Sequence, residues 1–458
     1  MTIDAPIPGE FVNRQTSLTM TDDHKSDPSV LPISVYQHRY WAKWAENSQG
    51  TFFNTPVAFE IRGDLDRDAL KYACHTATKT HEVMHARFSD DGSEQYYSGF
   101  SIEDFFTEGA FTETDDIENE IKKIFSRPFD LASGPLVKFH LCASGDRTYY
   151  FVVTSHHIIT DGLWVPLLIS EISSAYSAYV SGSTASAPQG PSWARCIEAL
   201  HASVTPERHT RARAFWTKFL DQAPLTVDFP RKERPDIKEL AAESIYFELD
   251  ESVTKAVMDF SSACNSTLFI VLSAMYSFLL ARYAEQEVVL VSYPINMRPH
   301  GFERIAGCFV NLALLKATVR PSTSLKKLVD ELTRQRKDVR SHWHFPLRDL
   351  VHAGGEIDAD IEKTYFSVFF GETYLNSRVF TLGELAVRAI DLPWSEEFDR
   401  ELRLLYDASN GTGIKFRMDF RSAHYDRALI LEFTVQFKRL LALAMLDERP
   451  LHRIADGT

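Results

Sequence analysis

The chain has few cysteines, no surplus of positive charge and no long apolar run. Its five cysteines, Cys74, Cys142, Cys196, Cys264 and Cys308, are scattered, form no CxxC pair and are odd in number. That argues against a disulfide framework or a thiolate zinc site and fits a reducing compartment. Lys and Arg number 49 against 63 Asp and Glu, a formal charge of −14. A nucleic-acid partner would call for a basic stripe instead. The longest apolar stretch, residues 268 to 281, is shorter than the ~20 residues a bilayer span needs and reads as a buried helix. The opening MTIDAPIPGEF lacks a basic start followed by an apolar run, so no signal peptide is expected. No GxxxxGK[ST] loop and no GxSxG elbow occurs. What remains is a cytoplasmic enzyme or binding protein with no membrane and no nucleic acid among its partners.

With 44% hydrophobic and 24% charged residues, the composition is that of an ordinary globular protein. At ~100–200 residues per domain, the length allows two to four domains. Residues 1 to 30, rich in Pro, Ser, Thr and Asp, read as a flexible extension. Residues 56 to 65 alternate like a strand that stops at Gly63 and Asp64, and residues 68 to 84 carry a helical stripe through Leu70, Ala73, Ala77 and His81. LVKFHLC and TYYFVVTSH, joined by SGDR, predict a hairpin, and a helix follows from Trp164 to Val180. Residues 181 to 192 read as a linker. Beyond it, helices at 210–222, 266–284 and 432–446 alternate with strands at 244–250 and 287–295. Alternation on both sides of the linker predicts two α/β halves, 31–205 and 206–458.

The segment richest in chemistry is Ser155-His156-His157-Ile158-Ile159-Thr160-Asp161-Gly162, at a predicted strand end. Adjacent strand residues face opposite sides, so one histidine can face the core and the other a cleft. Asp161 is too near in sequence to serve His157 as a triad partner and is better placed to bind an arginine and pin the loop. Gly162 permits a tight turn or a close backbone approach. An imidazole on a rigid turn suits proton transfer. The plainer reading is two histidines at an ordinary buried strand end. A second motif, His81-Glu82-Val83-Met84-His85, matches HExxH, which on one helix would let both histidines share zinc. No third-ligand signature follows it. Arg208, Arg211, Arg213, Lys218, Arg231, Lys232 and Arg234 form a locally basic stretch, either a docking patch for an acidic partner or a solvated face.

His156-His157 through Asp161-Gly162 resembles the HHxxxDG motif of condensation domains of nonribosomal peptide synthetases, in the chloramphenicol acetyltransferase superfamily. LPISVYQHRYW (31–41), THEVMHARF (80–88), the segments 215–235 and 266–299, IAGCFVNLALLK (305–316) and FDREL (398–402) are similar to further stretches of that family, in order. The resemblance implies an α+β fold of two chloramphenicol acetyltransferase-like halves, a V-shaped pseudo-dimer with a central substrate tunnel. It implies a condensation enzyme that forms an amide or ester, binds no cofactor of its own and works as a monomer. Its substrates would arrive on the 4'-phosphopantetheine arms of acyl or peptidyl carrier proteins, in trans, or as a free small-molecule acceptor. It implies that His157 is catalytic and that the Gly162 amide lies near the thioester. His156, Asp161 and Arg298 would be structural, with Arg298 paired to Asp161, and Asn311 would lie at the tunnel. Ser155 stands where Met is usual, and Leu163 separates Gly162 from Trp164. A CoA-dependent acyltransferase like the wax-ester synthases, a recruitment domain without activity and, more distantly, the HExxH metalloprotease are the alternatives.

Overall fold

The computed structural model describes residues 30–112, 114–183, 192–224, 226–232, 241–347, 350, 366–373, 380–390, 392, 400–409, 413–445 and 447–457. Apart from Val30, the N-terminal extension lies outside these residues, as does most of the linker segment.

The strands of the first half are β1 (Val30–Pro32), β2 (Asn54–Arg62), β3 (Ala86–Phe88), β4 (Glu94–Tyr97), β5 (Phe106–Ala110), β6 (Val137–Ala143) and β7 (Thr148–His156). Those of the second are β8 (Ala242–Leu249), β9 (Val288–Asn296), β10 (Val310–Thr318), β11 (Val368–Glu372), β12 (Ala386–Ile390), β13 (Leu402–Asp407) and β14 (Ile414–Arg421). The hairpin forms as expected: β6 pairs antiparallel with β7, Val137 opposite Ser155. β2 runs antiparallel to β7 with Thr55 opposite Ser155. Eight of its nine residues are buried, because the sheet is covered on both sides. Helices Arg67–Thr80 and Trp164–Val180 cover one face over Phe59, Ile61, Phe139 and Phe151. Helix Ile117–Phe125 covers the other over Ala58 and Val152.

The second sheet runs β10-β9-β11-β13-β14-β8, with β11 parallel to both neighbours. Behind it lies helix Leu268–Tyr283, whose residues 270 to 281 are all buried. That explains the apolar run: the helix has no wet face, being enclosed by helices Glu251–Ala263, Leu325–Arg340 and Arg427–Ala444. No single helix among the described residues is long and apolar enough to cross a membrane.

The sheets do not divide where the chain divides. The five-stranded sheet has the order β12-β2-β7-β6-β5, so residues 386–390 of the second half complete the sheet of the first. Phe380 packs on Phe59 and Phe151, and Phe309 also belongs to the first core. Arg388 of β12 reaches Glu60 of β2 at 2.6 Å.

Candidate active site

His156 ends β7 and His157 opens a short 3₁₀ turn, His157–Ile159. The His156 amide donates to the Leu136 carbonyl, and the His157 amide donates to that of Phe53. The two side chains separate as expected. His156 is buried, its Nδ1 accepts from the Ile158 amide, and burial holds its pKa down at about 3. His157 stacks on Tyr40, centroids 4.7 Å apart at 19°, and meets the edge of Phe53. Burial lowers its pKa, and nearby Arg39 pushes the same way. The imidazole is therefore neutral at neutral pH.

Behind the turn, Thr55 Oγ1 lies 2.6 Å from Ser155 Oγ and 3.3 Å from Thr160 Oγ1, and Thr160 donates to the His156 carbonyl. The unusual Ser155 is thus one member of a buried hydroxyl cluster. In front, Gln37 donates from Nε2 to the Ile158 carbonyl, which ties the LPISVYQHRYW stretch to the loop.

Asp161 and Arg298, 137 residues apart, meet in a two-pronged ion pair, Nη1–Oδ2 2.8 Å and Nη2–Oδ1 3.0 Å. The carboxylate also accepts the amides of Leu163, Trp164 and Phe309. Arg298 donates to the Ile305 and Gly307 carbonyls and lies over the Phe309 ring. Gly307, at φ +153°, is needed there: a Cβ would come 2.4 Å from Trp193.

His157, Asp161, Gly162, Leu163 and Arg298 line a chamber of about 400 Å³ between the halves. Tyr40, Phe53, Phe269, Leu312, Arg336, Phe369, Arg400 and Arg403 face the same space. A cavity of about 450 Å³ between β2, β12 and β8 holds none of the motif residues.

Two expectations need correction, and one is narrowed. Gly162 lines the chamber, has no left-handed backbone, and a Cβ on it would meet nothing within 4 Å. The protein's own turn does not demand a glycine there, and the open space belongs to the chamber. Asn311 does not line the chamber. Val310 and Leu312 do, and strand alternation turns Asn311 the other way, where its Nδ2 donates to the Trp343 carbonyl at 2.6 Å and to that of Phe345 at 3.2 Å. It clamps a turn. HExxH does not lie on one helix. The helix ends at Thr80, His81 is extended, and Glu82–His85 form a 3₁₀ turn. His81 bonds Glu171 at 2.7 Å, Glu82 accepts the Trp193 amide, and His85 contacts the Ser98 carbonyl, so the three point to separate partners.

The basic stretch is also divided. Arg208, Arg211, Arg213 and Lys218 ride on helix Pro206–Leu220, while Arg231 meets Glu401 and Lys232 donates to the Ser422 carbonyl. Arg234 and part of the 398–402 match lie outside the described residues. Sequence reading missed Tyr40 as a support for His157, although it lies in a stretch already singled out. It also missed Arg336 and Arg403, which face the chamber and carry no local motif, and gave no role to Arg400 within the FDREL stretch.

A histidine at a strand end thus faces a space between two lobes, with an aspartate–arginine pair bracing its turn. The condensation-domain profile matches residues 28–456, and the chain belongs to the condensation-domain family. It is 26% identical over 428 residues to one of the plipastatin synthase subunits of Bacillus subtilis, a match covering 92% of this chain and 16% of that protein. It is 24% identical over 461 residues to malpinin synthetase of Mortierella alpina, covering 96% of this chain and 6% of that protein. The chain thus spans less than a fifth of the length of these relatives. Among solved structures, the first condensation domain of the CDA synthetase superposes with a TM-score of 0.75 at 19% identity, covering 92% of this chain and 97% of that one. The X-domain from teicoplanin biosynthesis gives 0.80 at 17%, covering 92% and 96%. The fold is the two-lobed, chloramphenicol acetyltransferase-like one.

Proposed function

We propose that the chain transfers an acyl group from a carrier-protein phosphopantetheine thioester to an amine or hydroxyl acceptor, forming an amide or an ester. The observation that carries this reading is His157: a neutral imidazole, stacked on Tyr40 and facing the chamber between the halves. A neutral imidazole can accept the proton of an attacking N–H or O–H and orient that nucleophile toward a thioester carbonyl. Gly162 leaves room beside it for the thioester, and its backbone amide would serve the developing oxyanion. Asp161 does not take part in proton transfer. Its oxygens are committed to Arg298 and three amides, so it holds the turn rigid. His156 is a buried strut.

The test is incubation with acyl-loaded carrier proteins and candidate acceptors, followed by mass spectrometry of the product. His157→Ala should lower the rate by roughly 10²–10⁴-fold in a protein that unfolds normally. A near-normal rate in that variant overturns the assignment.

Two neighbours keep other readings in view. The starter condensation domain of rhizomide synthetase, TM-score 0.77 at 16% identity, was solved with C8-CoA. The teicoplanin X-domain, TM-score 0.79 at 17% identity, was solved in complex with OxyB. Comparing acyl-CoA with acyl-carrier donors separates the first reading from ours. Turnover abolished by His157→Ala separates the second.

A further inference from the structure

Of the large apolar side chains that stand exposed among the described residues, Leu163 alone lines the chamber, and it is 40% exposed. It is the residue that separates Gly162 from Trp164. The helix that follows turns its apolar side chains the other way: Trp164, Val165, Leu168 and Ile169 are buried in the first core. Leu163 caps that helix from outside its apolar stripe. Its backbone is pinned there. The amides of Leu163 and Trp164 both donate to Asp161 Oδ1 at 3.1 Å, and Arg298 grips Asp161. The carboxylate that braces the His157 turn therefore also fixes the position from which the Leu163 side chain leaves the backbone.

An exposed leucine on a fixed backbone leaves apolar surface in water, and a ligand that covers it gains the hydrophobic term. Phe52, Phe53, Ile295, Val310, Leu312 and Leu405 line the same chamber, whose volume of about 400 Å³ is that of a small-molecule pocket. The place of the leucine says which part of a substrate would cover it. It adjoins Gly162, where a Cβ would meet nothing within 4 Å, and His157 opens on the same space. In the acyl-transfer reading the thioester carbonyl lies beside Gly162. The carbons that continue from that carbonyl are then the ones next to Leu163.

We propose that the acyl group taken from the thioester is an aliphatic chain, and that Leu163 holds it and sets the preferred chain length. The inference rests on the acyl-transfer reading and names its donor class. The acceptor N–H or O–H attacks the thioester carbonyl, the C–N or C–O bond forms and the C–S bond breaks. The acceptor proton ends on the leaving thiol, and the chain is carried through unchanged. An apolar acceptor side chain would cover the same leucine, so the test separates donor from acceptor.

The experiment has a turnover arm and a binding arm, both on the full chain. Acetyl-, butanoyl-, hexanoyl- and octanoyl-N-acetylcysteamine serve as donors, with glycinamide and leucinamide as acceptors. Along the donor series kcat/KM should rise about fourfold per methylene. Leu163→Ala should lower the octanoyl-over-butanoyl ratio about tenfold, and Leu163→Met should restore most of it. Both variants should melt as the wild type does, because the side chain they change is exposed. A donor ratio unmoved by Leu163→Ala, or a change confined to the leucinamide-over-glycinamide ratio, overturns the proposal. In the binding arm, thermal unfolding is followed with each donor alone. The octanoyl thioester should raise the melting temperature more than the butanoyl one, and Leu163→Ala should shrink that difference. This binding result without transfer to any acceptor would leave the acyl site standing and sink the acyl-transfer reading. Transfer at a rate independent of chain length would do the reverse.

Discussion

The two walls of the chamber are built from different materials. The wall from the first half is mostly aromatic around His157, which lies on Tyr40 and is flanked by Phe53, with Arg39 and Asp161 beside them. The wall from the second half carries more charged side chains, with Arg403 on Asp419 and Arg336 and Arg400 on phenylalanine faces. The apolar wall depresses the pKa of its one histidine and keeps it neutral. Arg298, from the second half, reaches across to brace the loop of the first.

The sharpest way to break the contrast is to exchange roles within the motif. His157→Ala should abolish most turnover with little loss of stability, and His156→Ala should do the opposite. Unfolding curves and product assays on the two variants check this, and equal effects on rate would erase the distinction.

Severing the brace comes next. Arg298→Ala leaves Asp161 buried without its counter-ion and should cost about 3–5 kcal/mol in denaturant unfolding. A variant that unfolds like the wild type would show that the lobes do not depend on this pair.

His156 has a folded pKa of about 3, well below the ~6.5 of an exposed histidine. Below pH ~6.5 the unfolded chain binds a proton that the folded chain refuses, so stability falls with falling pH by up to ~1.4 kcal/mol per unit from this residue. His156→Gln should flatten that slope. The acid limb of kcat/KM should lie below pH ~6.5, because the His157 pKa is also lowered.

The smallest effect concerns the strand that the second half lends to the first. Arg388 is 71% exposed, and Arg62 also pairs with Glu60, so Arg388→Ala should cost no more than about 1 kcal/mol. Faster hydrogen exchange confined to 386–390 would match that; global destabilisation would not.

Much of this was legible in the sequence. Alternation in LVKFHLC and TYYFVVTSH located the hairpin, and the helix Trp164–Val180 has the expected ends. The two adjacent histidines separate as strand alternation predicts, although β7 ends at His156 and His157 opens a 3₁₀ turn. HExxH misled because four-residue spacing means one helical face only if the helix continues, and it ends at Thr80. Asn311 misled because a residue inside a motif need not share its neighbours' side of the strand.

By itself, then, the sequence determined the local elements, the place of the His157 turn at the end of β7 and the apolar periods that build two cores. These depend on neighbours a few residues apart. Only the tertiary structure decided that Arg298 meets Asp161 across 137 residues, that Ala386–Ile390 joins the first sheet and that Tyr40 lies flat on His157. It also decided that the arginines of the second lobe face the same chamber. Those contacts join segments with no shared period. They arise because each lobe must cover the other's open face, and that covering sets which charges end up on the inside.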